Sequence, residues 1–93
     1  MESFSPEKIL EIIRNYISRI TGIEQHLIGL EQRFDEDLGL DKITFNEMAD
    51  FLEDEFTSMN LGFRIDKVER RDIELVSDLV DIITSKIATD KKA

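Results

Sequence analysis

Apolar residues recur at Ile9, Ile13, Tyr16, Ile17 and Ile20, stepping by three and four, and Leu10 and Ile12 widen the stripe. A helix of about 3.6 residues per turn returns such positions to one face. Ser5 can accept from the first free N–H groups, Pro6 suits the first helical position because its missing N–H is not needed there, and Thr21-Gly22 predicts the end. A second helix is predicted from about Lys42 to Phe56. Phe45, Met48, Ala49, Leu52 and Phe56 share its buried side, Glu47, Asp50 and Asp54 lie opposite, and Asp41 is placed to cap it. A last helix is read from Val76, Leu79, Val80, Ile83 and Ile87, with Asp78, Asp81 and Lys86 facing away and Ser77 or Asp72 as its cap. Beyond Ala88 the periodicity stops and the tail is expected to fray.

Between these helices the pattern changes. From Ile23 to Leu40 neither the helical nor the alternating repeat persists, yet Ile23, Leu27, Ile28, Leu30, Phe34 and Leu38 are too apolar for a solvated linker. A long loop lying on the core is expected, with a short helical turn near Glu24–Leu27. From Thr57 to Ile73 the chain is irregular, with at most a short helix around Asp66–Arg71. The fold class is therefore all-α: one domain over 1–93, ordered about 5–88, with three main helices, at most one short third helix and a long first loop.

Charge bears on partners. Twenty-one acidic against 12 basic residues give a formal net charge of −9, which repels nucleic acid and anionic lipid and attracts basic protein patches. Absence of cysteine removes disulfides, thiolate metal sites and thiol nucleophiles, and fits a reducing, cytoplasmic setting. No apolar run approaches a membrane span, and Met1-Glu2-Ser3-Phe4 lacks the parts of a signal peptide. A monomer is expected.

Candidate chemistry is sparse. The acidic run Asp35, Glu36, Asp37, Asp41 fails the calcium-loop spacing, which would need Asp or Asn at Gly39, Gly at Leu40 and Glu at Asn46; no metal is expected. His26 stands alone. Lys42 as a Schiff-base nucleophile is opposed by Asp41 and Asp37, which favour the ammonium form, so no catalytic residue is expected. Ile43 and Phe51 flank Glu47 away from the buried stripe, an apolar patch beside acids that suits docking.

Asp37-Leu38-Gly39-Leu40-Asp41, followed by Lys42 and Ile43, resembles the signature of acyl carrier proteins, and Glu53-Asp54-Glu55-Phe56 resembles the end of their second helix. In that family a serine at the head of this helix carries a 4′-phosphopantetheine arm; Lys42 occupies its position and has no hydroxyl to form the phosphodiester. The resemblance implies an acyl-carrier-like bundle that docks basic-patch partners, such as synthase or acyl-transfer enzymes of fatty acid, polyketide or related assembly. It implies Glu47, Glu53 and Asp54 as docking acids, and with Asp41, Ile43, Asp50 and Phe51 beside them on the helix these are the partner-binding candidates. It implies no cofactor as the sequence stands, and 4′-phosphopantetheine only if a hydroxyl at or near position 42, such as Thr44, serves. Two alternatives stay open: a true carrier, using that hydroxyl or a natural serine that Lys42 replaces, and an acidic adaptor unrelated to acyl transfer. Phe45, Met48 and Leu52 resemble the family's acyl-chain lining but read more simply as core. The 57–73 connection is longer than in the family and holds Lys67, Arg70 and Arg71; Leu75-Val76-Ser77-Asp78 stands where a Thr-Val-Gly-Asp helix start is usual.

Overall fold

The computed structural model describes residues 5–91, with side chains to Ile87. Met1–Phe4, where the signal-peptide reading falls, and residues 92–93 of the tail lie outside the described residues. Among the described residues four α-helices follow one another: α1 Pro6–Thr21, α2 Lys42–Ser58, α3 Lys67–Asp72 and α4 Val76–Lys91, with a 3₁₀ turn at Gln25–Leu27 in the first loop. Among the described residues there is no strand, only an isolated antiparallel bridge between Arg33 and Leu75.

Helix α1 begins as its sequence dictates. Ser5 Oγ accepts from Lys8 N at 3.3 Å, Pro6 is the first helical residue, and Gly22 ends the helix at φ 82° with its N–H bonded to Ser18 O. Ile9, Ile13 and Ile17 are fully buried. Ile20, expected on the same stripe, is instead 44% exposed, because the chain turns away at Gly22 and leaves the last turn of that face uncovered. The core is completed by Phe45, Met48, Leu52 and Phe56 of α2 and by Val76, Leu79, Val80, Ile83 and Ile87 of α4. Ring pairs Phe34–Phe45 and Phe56–Phe63, with centroids 5.1 and 5.2 Å apart, join each connection to α2.

The first loop lies on the core through Ile28, Phe34, Leu38 and Leu40, all buried, while Leu27 and Leu30 point outward. Its backbone groups have defined partners. Arg14 Nε donates to Ile28 O at 2.6 Å, and the first turn of α4 donates to the loop, Val76 N to Gln32 O at 3.0 Å and Ser77 N to Leu30 O at 2.9 Å. This corrects the expected capping of α4. Neither Ser77 nor Asp72 caps it; loop carbonyls satisfy its first N–H groups, and the Asp78 carboxylate reaches back to accept from Glu74 N and Leu75 N at 3.0 and 2.9 Å. Helix α4 continues to Lys91.

Helix α3 is short and doubly capped: Asp66 accepts from Glu69 N, and Glu69 returns the bond to Asp66 N, both at 2.9 Å. Before it, Phe63 and Ile65 are buried, so the second connection also contributes to the core.

Candidate functional site at the head of helix α2

Residues 33–41 set the entry to α2. Asp37 accepts from Arg33 N at 2.8 Å, and Leu40 N returns to Phe34 O at 2.8 Å. Gly39 takes φ 72°, a left-handed conformation that lets Leu38 and Leu40 both turn inward. Arg33 holds the loop from outside, 3.4 Å from Asp35 and 3.3 Å from Glu74, and the Asp35 charge above all pushes its guanidinium pKa upward.

Asp41 is the N-cap, its Oδ1 accepting from Thr44 N at 2.8 Å. That backbone bond, helped by a hydrogen bond from the Thr44 side chain, holds the Asp41 carboxyl below the usual carboxylate range. Lys42 is the first helical residue and is exposed. It borders a cleft of about 280 Å³ with Phe34, Leu40, Phe45, Arg71 and Ile73.

The other candidates divide. Glu47, Asp50 and Asp54 are exposed along one side of α2, and Ile43 at its head is 69% exposed. Phe51, expected beside Glu47 off the buried stripe, is half-buried instead, its ring 4.7 Å from that of Tyr16 on α1. Glu53 is held within the chain. Its side chain is 16% exposed, it accepts from Ile65 N at 2.8 Å, and it pairs with Arg70 at 3.2 Å. Glu53 therefore fastens the second connection to α2, and Asp50, 3.0 Å from Arg70, shares that cation from an exposed position.

Arg70, one of the cations in the second connection, takes a structural role that its sequence position does not reveal. Its guanidinium donates to Ile65 O, Asn46, Asp50 and Glu53, bridging α3 and α2. The Asp66-x-x-Glu69 spacing, a capping-box pattern, was the legible signal for the helix that places it. His26 is exposed and lies 3.4 Å from Glu24. Among the described residues no cluster of three or more His, Cys, Asp or Glu is arranged to hold a metal ion, and no helix is long and apolar enough to cross a membrane.

Residues at the head of α2 do not fit a covalently attached phosphodiester. Lys42 offers an amine, and the neighbouring hydroxyl, Thr44, is half-buried two residues into the helix. Against this geometry stand clear likenesses. Residues 11–83 match the family model described as the phosphopantetheine attachment site. The acyl carrier proteins of Tropheryma whipplei strains Twist and TW08/27 are each 31% identical over 81 residues, covering 87% of this chain and 93% of theirs. The helical bundle, the capped entry to α2 and these matches lead to one conclusion: the chain belongs to the phosphopantetheine-attachment family of acyl carrier proteins, whose members are carriers rather than catalysts and whose prosthetic group is 4′-phosphopantetheine.

Proposed function

We propose that this chain is a carrier-family docking module that engages basic-patch enzymes of acyl or peptide assembly through the exposed acidic side of α2, without bearing an arm. The observation that carries the reading is at position 42: an exposed ammonium begins the helix where the family has its attachment hydroxyl, and the neighbouring Thr44 is half-buried. Glu47 and Asp54 are exposed and make no ion pair among the described residues, so their charge is available to orient an encounter, with Ile43 contributing apolar area beside them. Asp50 adds to the same side with its charge partly offset by Arg70.

Incubation with a phosphopantetheinyl transferase and coenzyme A, read by intact mass, tests this reading. The mass is expected to stay unchanged, whereas Lys42→Ser is expected to gain one arm. An arm on the unsubstituted chain would replace this reading with that of a working carrier. A Lys42→Ser chain that stays bare would mean that the surrounding surface is no longer read as a carrier's.

A further inference from the structure

The cleft beside Lys42 continues into a second depression of about 230 Å³, and the two share Lys42, Phe45, Arg70 and Arg71. No carboxylate lines this second part, whose remaining residues are Asn46 and Lys67. In the first part Asp35 and Glu74 share Arg33, and Asp41 is the cap of α2 and keeps its charge. Lys42, Lys67 and Arg71, by contrast, are exposed and make no ion pair among the described residues. A chain of formal charge −9 thus places three available cations around one groove. Lys67 and Arg71 sit four apart on α3, a like-charge spacing that weakens a helix rather than supporting it, so their stability role is unfavourable.

From this arrangement we infer that the groove between the head of α2 and α3 receives an acidic protein segment carrying an apolar anchor. Its floor is apolar, with Phe34, Leu40 and Phe45 buried and Ile73 half-buried, which suits an aliphatic side chain. Its cations come from the head of α2 and from both ends of α3. Several cations beside an apolar floor match a segment that carries both carboxylates and an apolar side chain, whereas a lone phosphate would leave the floor unused. The surface differs from the acidic side of α2 in both place and sign, so the inference goes beyond the docking proposed above and stands separately from it.

The experiment is a titration of the ¹⁵N-labelled chain with the synthetic peptide Glu-Leu-Glu-Glu-Leu-Glu, followed by amide shifts. Shifts are expected at Lys42, Phe45, Lys67, Arg71 and Ile73, with affinity falling as salt is raised. The paired reversal Lys42→Glu and Arg71→Glu is expected to weaken binding about tenfold or more. Both sites are exposed, an acid is favourable at a helix N-terminus, and the dispersed spectrum reports that the variant is folded. The milder Lys67→Gln should weaken binding in the same direction. Glu47→Lys with Asp54→Lys should not weaken it, which separates failure here from failure of the acidic-face proposal. The inference is overturned by absence of binding, by shifts confined to the acidic side of α2, or by equal binding of the reversed variant. It is also overturned if inorganic phosphate alone reproduces the shifts at lower concentration, or if the same shifts appear on raising protein concentration without peptide.

Discussion

Arg70 and Glu53, 17 residues apart in the chain, meet at 3.2 Å with both side chains only 16% exposed. The same carboxylate oxygen accepts from Ile65 N, and the same guanidinium donates to Ile65 O, so one pair closes the second connection on both backbone groups of one residue. This arrangement holds Glu53 within the chain and ties α3 to α2. The groove described above depends on that placement.

Glu53→Ala removes the acceptor of Ile65 N and one partner of Arg70. A loss of about 1–3 kcal/mol is expected, the range for leaving a partly buried donor unsatisfied. Glu53→Gln keeps an acceptor oxygen for Ile65 N and should lose less. Urea unfolding of the two variants makes the comparison, and equal losses would show that the charge pair, not the backbone bond, dominates.

Phe56 is fully buried and stacks against Phe63. Phe56→Ala should destabilise by about 3–5 kcal/mol, combining lost transfer energy with a cavity that closes only partly. Since small domains have only about 5–15 kcal/mol in total, the unfolding midpoint should fall steeply. A shift of a few tenths would mean that the core around Phe56 collapses freely.

Gly39 tests the backbone alone. An added Cβ would meet nothing within 4 Å, but φ is 72°. Gly39→Ala is therefore expected to cost about 1–2 kcal/mol through conformation without a clash. Gly29→Ala, equally open and without a positive φ, is the matched control and should be close to neutral.

Acid sensitivity should involve Asp41 and Asp35. Both carboxyls are held below their ordinary range, Asp41 chiefly by Thr44 N–H and Asp35 chiefly by Glu36 N–H. A depressed folded value means that the unfolded chain takes up the proton more readily. The contribution is therefore present above the ordinary carboxylate range and is lost as pH falls through the depressed folded values. Asp41→Asn, which can still accept from Thr44 N, should flatten part of the acid limb of stability, leaving the Asp35 part. Urea midpoints measured across acidic pH check this, and an unchanged acid limb would show that Asp41 does not contribute.

Docking through α2 is checked by Glu47→Lys combined with Asp54→Lys. Capture by a basic-patch synthase or acyl-transfer enzyme should weaken roughly tenfold at low salt, and the difference should shrink as salt is raised, with folding little changed. Unchanged capture would return these acids to solubility alone.

The chain's own pattern determined the three long helices, the caps at Ser5 and Asp41, the stop at Gly22, the turn near Gln25–Leu27 and the short α3. These are local matters: spacing chooses the buried face, and a capping side chain or a glycine acts within a few residues of itself. Contacts distant in sequence decided the rest. Glu53 reads as one more acid on a polar helix until Arg70 arrives from α3, Phe51 reads as surface until Tyr16 covers it, and α4 needs carbonyls lent by Gln32 and Leu30 to begin. Periodicity can say which side of a helix avoids water, but not which part of the chain will come to lie against it. That depends on how the two connections pack, because a side chain's role follows from its neighbours as much as from its own chemistry.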